Sequence, residues 1–273
     1  MPRNPLAAAF ALSTTLLVAL FATGCASDGM NGAQMKSSTV VAVPGGNRRG
    51  DRGSRTSERP DAESRTRNAE VLVELGQRYY SRGEYEIALE KLQSALRIDS
   101  TSASGHTMIA ILYETIGDTA QAADHYRKSV QHGGRSGDVL NNYGSWLCRQ
   151  SKFDEADETF RKALADPFYK SPESALANAG SCALAAGKYD IGENYLRQVL
   201  QARPNDDQAL IGLAEIAFRK DDFMRARAFV QRADSQAPLG RNGLELAVRI
   251  EEQLGDERSA AAYRSRLAAD DGI

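Results

Sequence analysis

The sequence predicts an all-α fold, a solenoid of about six stacked helix-turn-helix repeats, and three observations predict it. The first is a fixed period. Ala88 recurs as Ala122, Ala156 and, after a two-residue slip, Gly192, then as Ala226 and Ala260. Tyr79 recurs as Tyr113 and Gly83 as Gly117. The second is a matching row of large residues, since Leu92, Tyr126, Phe160, Leu196 and Val230 keep one offset from those small ones. The third is composition: Ala, Leu, Arg and Glu are abundant and there are eight prolines, which favours helices over strands.

Each period holds two antiparallel helices. Small residues on the first helix (Gly76, Ala110, Gly144, Gly180, Ala214) let it approach the second closely, where Ala88, Ala122, Ala156 and Ala226 do the same. Tyr79, Tyr113, Tyr126 and Phe160 fill the space between, and Gly83, Gly117 and Gly187 ease the turn. Pro204 and Pro238 follow second helices. This is the tetratricopeptide pattern. One such unit cannot bury its own apolar faces, so stacking is obligatory, and the expected architecture is an α-solenoid wound as a right-handed superhelix.

The repeats fall at about 69–102, 103–136, 137–172, 173–206, 207–240 and 241–270, within a domain spanning 68–270. The loop Asp166–Pro172 takes up the two extra residues. In the last repeat Glu251 stands where an aromatic is usual and Arg264 replaces an apolar residue, as a capping unit requires.

In such a superhelix the first helices line a concave groove. Repeat register places Val73, Gln77 and Tyr80 there, then Thr107, Ile111 and Glu114. Asn141, Ser145 and Arg149 follow, then Ala177, Ser181 and Leu184, then Ile211, Glu215 and Phe218. A mixed apolar and polar lining of this kind suits a peptide or helix of a partner protein better than a small metabolite. The competing reading is that many of these are half-buried packing residues.

Ahead of the repeats, residues 1–24 read as a lipoprotein signal peptide. Arg3 gives a basic start, and Leu6 to Phe21 is apolar but too short for a membrane span. Ala22-Thr23-Gly24-Cys25 resembles the bacterial lipobox, which implies cleavage before Cys25 and acylation of its thiol and new amine. Several acyl chains hold firmly, at ~0.8 kcal/mol per buried CH₂. Ala26 after the cysteine resembles an outer-membrane sorting signal. Residues 25–67 are rich in Gly, Ser, Asn, Asp and Arg without apolar periodicity, so they read as a flexible tether with a solvated arginine cluster. About 40 such residues span roughly 35 Å root-mean-square.

With Cys25 lipidated, Cys148 and Cys182 remain, 34 residues apart and late in the first helices of adjacent repeats. In an exported compartment the pair reads as a disulfide, the alternative being two buried thiols acting as small hydrophobes. A two-cysteine metal site finds no histidine at ligand spacing, because His106, His125 and His132 fall in another repeat.

No catalytic chemistry is legible. Gly133-Gly134 lacks the Lys and Ser/Thr of a phosphate loop, and there is no nucleophile elbow or metal cluster. Carboxylates such as Asp154, Glu155, Asp157 and Glu158 read as a solvated face at a helix start. The net charge of −2 gives no pull toward nucleic acid. No cofactor and no small-molecule substrate is expected.

At its centre the chain becomes more specific. The run Val139-Leu140-Asn141-Asn142-Tyr143-Gly144, then Leu147-Cys148, Ala163-Leu164-Ala165-Asp166-Pro167, Tyr169, Asn178-Ala179-Gly180 and Cys182-Ala183-Leu184, resembles the type IV pilus biogenesis and stability lipoproteins of the PilF/PilW type. Arg249-Ile250-Glu251, Leu254-Gly255-Asp256 and Ala260 to Tyr263 are similar as well, so that the resemblance covers roughly 66–268 and the signal. It implies a non-enzymatic, lipid-anchored protein of the outer membrane, facing the periplasm. It implies a pilotin-like role: helping the pilus secretin reach the membrane and form its ring, or stabilising the pilus. The alternative is a general envelope scaffold that recruits cell-wall enzymes or outer-membrane assembly factors.

Overall fold

The computed structural model describes residues 62–270. These form twelve α-helices and, among the described residues, no strand. The helices come in six antiparallel pairs: α1 (Ala62–Ser81) with α2 (Tyr85–Ile98), α3 (Ala103–Thr115) with α4 (Thr119–Gly133), and α5 (Gly137–Arg149) with α6 (Phe153–Leu164). Then come α7 (Pro172–Ala185) with α8 (Tyr189–Ala202), α9 (Asp207–Arg219) with α10 (Phe223–Asp234), and α11 (Arg241–Leu254) with α12 (Glu257–Asp270). The fold is a tetratricopeptide solenoid. The signal peptide, Cys25 and the tether up to residue 61 lie outside the described residues.

The elements start where local chemistry starts them. The Ser102, Asp118, Asp206 and Asp222 side chains each accept a backbone N–H at the head of α3, α4, α9 and α10. Pro172 opens α7, where a missing N–H costs nothing. One boundary differs from expectation. The first helix begins at Ala62, inside the stretch read as tether. Residues 62–67 carry no apolar stripe to reveal a helix, yet the Glu63–Arg67 ion pair, at 2.9 Å and one turn apart, supports it.

The turn between the two helices of every repeat contains one left-handed residue. Glycine fills it at Gly83, Gly117, Gly187 and Gly255, but Ser151 and Asp221 hold the same position at φ 59° and 58°. Close packing explains the small residues on the first helices. A Cβ on Gly76 would stand 2.6 Å from Leu92, one on Gly180 2.6 Å from Leu196, and one on Gly144 2.9 Å from the Phe160 ring. The core is accordingly a chain of linked clusters, with Leu92, Tyr126, Phe160, Leu196 and Val230 each buried between the helices of one repeat.

The last repeat is polar in a different way from that expected. Glu251 is not at the surface but 2% exposed. Both its carboxylate oxygens accept from the Arg227 guanidinium of α10, the Nε bond measuring 3.0 Å. Arg264 is exposed and bonds Glu252, while Arg266 grips Asp234 through two 2.7 Å bonds and so ties α12 back to α10.

Candidate partner-binding groove

Successive first helices touch one another: α1 with α3, α3 with α5, α5 with α7, α7 with α9 and α9 with α11. The backbones of successive second helices stand farther apart and are bridged by long side chains, as in Tyr195–Asp157 and Arg266–Asp234. The stack therefore curves with the first helices inside, and their exposed side chains form the floor of a concave face.

A row of side-chain contacts crosses that floor from repeat to repeat. Tyr80 Oη lies 2.8 Å from Thr115 Oγ1. Arg149 donates to both oxygens of Glu114, at 2.5 and 2.8 Å, and Tyr126 Oη donates to the same carboxylate at 3.0 Å. Asn178 Nδ2 donates to Asn141 Oδ1 at 3.0 Å, and Gln208 Nε2 to Ser181 Oγ at 3.3 Å. Glu215 accepts from Arg219 at 2.6 Å and Arg249 at 3.4 Å, with the Arg249 guanidinium 4.3 Å from the Phe218 ring centre. Charges on the floor are thus mutually paired rather than of one sign. The Glu114 bond holds the Arg149 guanidinium above its usual range, and burial followed by the Glu114 charge pushes the Tyr126 phenol up.

Twelve of the fifteen residues expected in the groove are half-buried or exposed. Three are not: Val73 and Thr107 are each 7% exposed and Ala177 2%. Val73 joins the core of the first repeat and Ala177 that of the fourth. The Thr107 hydroxyl is consumed between Ala103 O at 2.9 Å and Ser129 Oγ at 2.6 Å. All three share one register position. Its longer occupants, Asn141 and Ile211, remain half-buried at the surface, while the short ones sink into the helix packing. These three are therefore packing residues. Conversely Thr115, Asn178, Gln208 and Arg249 belong to the floor and were not expected there. The signal for Arg249 was present, since it lies one period after Glu215.

Cys148 and Cys182 are joined as a disulfide with Cα atoms 5.8 Å apart. The bond staples α5 to α7 directly beside Arg149 and Ser181, so it fixes the spacing of the floor at its middle. At the N-terminal mouth a hollow of about 550 Å³ is lined by Gln77, Met108, His132, Asp138 and Asn142. On the outer edge of repeats one and two lies a second, apolar cleft, which sequence reading missed; Tyr85, Ile87, Leu89, Leu112 and Ile116 line it. Among the described residues no group of three His, Cys, Asp or Glu could hold a metal ion, and no helix is long and apolar enough to cross a membrane.

Two tetratricopeptide-repeat family models match residues 183–243 and 76–117. The chain is 27% identical to the type IV pilus assembly protein PilF of Pseudomonas aeruginosa, over 72% of this chain and 79% of that one. It is 32% identical to an uncharacterized protein of Haemophilus influenzae, over 49% of this chain and 74% of the relative. The crystal structure of PilW, described as a widely conserved type IV pilus biogenesis factor, superposes with a TM-score of 0.70 at 26% identity, covering 75% of this chain and 94% of that one.

Proposed function

The chain belongs to the tetratricopeptide-repeat proteins of type IV pilus biogenesis, of the PilF/PilW type, and from that premise we propose that it is a lipid-anchored, non-enzymatic adaptor for the pilus secretin. The observation that carries the reading is the concave floor. It offers side chains that keep spare hydrogen-bonding capacity after their mutual contacts, such as the Asn141–Asn178 amides, beside apolar Ile111, Leu184 and Phe218. A segment of a secretin subunit would lie along it and exchange bonds with those groups. Acylated Cys25 would supply the outer-membrane address, and the tether would leave the groove free to reach its client. Holding subunits near the membrane raises their local concentration and so favours ring assembly.

The test is secretin assembly in a strain lacking this gene. Outer-membrane fractions would be blotted for heat- and detergent-resistant multimers. Loss of multimers with retained monomer, restored by the intact gene but not by Cys25→Ser, is the expected result. Normal and correctly located multimers would sink the pilotin mechanism and direct attention to later pilus stability or to a cell-wall partner.

A further inference from the structure

The chain has three histidines, and all three meet in the second repeat. His106 lies in the first turn of α3 and is buried, while His125 and His132 sit on α4. The Nδ1 atoms of His106 and His125 are 3.0 Å apart, and His106 Nε2 is 3.1 Å from the Ser100 carbonyl oxygen. His132 stacks on His106, ring centres 5.7 Å apart. These contacts fix the protons. A carbonyl only accepts, so the hydrogen of neutral His106 is on Nε2 and its Nδ1 is a bare lone pair. The hydrogen between the rings must then belong to His125, which donates from Nδ1.

We propose that the His106–His125 pair is an acid-sensitive latch that holds α3 against α4 at neutral pH and lets the second repeat open in mild acid. A proton arriving at His106 has only Nδ1 to occupy, where the His125 N–H already points, so the bond survives only if His125 moves its own hydrogen to Nε2, and with both rings charged the bond between the two helices is lost. A proton arriving at His125 can sit on Nε2 and keep the bond, but it leaves a half-buried cation there.

The surroundings do not welcome either charge. From α4 face Asp124, Lys128 and His132; from α3, Tyr113, its ring 5.7 Å from that of His125; from α2, Arg97, which lines a cleft with His125. Asp99, in the turn beside His132, is already engaged by Thr101, and Asp124 is engaged by Lys128 at 2.7 Å. Burial first, then the neighbouring imidazoles and Lys128, hold both rings below the ordinary histidine range, His125 at about 4. The folded values lie below the unfolded value near 6.5, so the unfolded chain takes up the protons. Stability is complete above about pH 6.5 and is lost as pH falls toward about 4, by up to roughly tenfold in the folding constant per pH unit per histidine. The remaining repeats contain no histidine and lack this response.

Hydrogen exchange of the full chain in detergent, corrected for intrinsic rates, tests the latch. Between pH 7.5 and 5.0 the amides of α3 and α4 are expected to lose at least about tenfold in protection, while α9 and α10 change less than about twofold. The double variant His106→Leu with His125→Leu is expected to remove the difference between the regions. Equal loss in both regions of the native chain, or an undiminished difference in the double variant, overturns the proposal. If that variant does not fold, the ring-proton titration of His125 in the native chain decides. A midpoint at about 4 supports the latch, and one at or above about 6.5 overturns it.

Discussion

The junction of repeats four and five and the junction of repeats one and two place the same backbone around opposite chemistry. At the first, Lys220 ends α9 and reaches Asp190 and Glu193 on α8, at 2.7 and 3.0 Å. Glu193 also receives Arg225 and Arg197. Stepping back 104 residues in register, from 220 to 116, 190 to 86 and 193 to 89, gives Ile116, Glu86 and Leu89. There the ions are replaced by an apolar cleft of about 530 Å³. Ile116 is 51% exposed, and Ile87 and Tyr85 stand beside it with Glu84 and Glu86 on the rim. The contrast repeats at the chain's end. Arg227 and Glu251, an ion pair whose carboxylate is buried and whose guanidinium is half-buried, occupy the register positions of Leu89 and Tyr113, which pack against the apolar core of the first repeat. One repeat backbone thus supports an apolar cleft at its N-terminal end and an ion-closed edge at its C-terminal end, and side chains alone decide which.

The largest effect is expected from breaking the buried pair. Arg227→Leu leaves the Glu251 carboxylate buried without its cation and should cost about 3–5 kcal/mol in denaturant unfolding. Adding Glu251→Tyr copies the N-terminal junction and should restore most of that loss, because a buried ion pair replaced by packed apolar groups is often neutral.

Acid should separate the two ends next. Burial pushes the Glu193 carboxyl up, but bonds from Arg225, Lys220 and Arg197 outweigh it and hold it at about 2. Its folded value lies below its unfolded one, so its stabilisation is present above about pH 4.5 and is lost as pH falls toward about 2. Regional hydrogen exchange should therefore show the second repeat loosening at pH 5 and the fourth and fifth repeats only near pH 3. Simultaneous loosening would remove the contrast.

Smaller changes exchange the two surfaces. Lys220→Ile should open an apolar cleft on the C-terminal edge, read as new binding of an environment-sensitive dye, with a stability loss below about 1 kcal/mol. Ile116→Lys should close the N-terminal cleft opposite Glu86 and lower dye binding, with stability unchanged within about 0.5 kcal/mol. If Ile116→Lys also abolishes secretin assembly, the outer cleft joins the concave floor as a docking surface. A last change concerns the turns. Ser151→Gly should stabilise by about 0.5–1 kcal/mol, since serine holds there a left-handed conformation that glycine adopts freely.

Several features were legible because a period repeats them. The small-against-large contact of Gly144 with Phe160 recurs in each of the first five repeats, so the register of the helices and their pairing follow from spacing alone. The concave row followed from the same register, as Gln77, Ile111, Ser145, Ser181 and Glu215 show. Burial at the neighbouring position did not, because Thr107 and Asn141 are both polar and only the depth of packing separates them. The start of α1 was hidden as well: Ala62 to Arg67 lacks an apolar stripe, and periodicity cannot announce a helix turn that buries nothing.

By itself the sequence determined the fold class, the number of repeats, the turn positions and the resemblance to pilus biogenesis lipoproteins, because each depends on local spacing or on residues that recur at fixed intervals. Only the tertiary structure decided which partners polar residues find. Glu251 meets Arg227 across a helix pair, three histidines 19 and 7 residues apart converge on one helix interface, and Ile116 lines an apolar cleft where Lys220 pairs with two carboxylates. Such pairings depend on side-chain direction and depth across stacked helices, and no period in the chain records them.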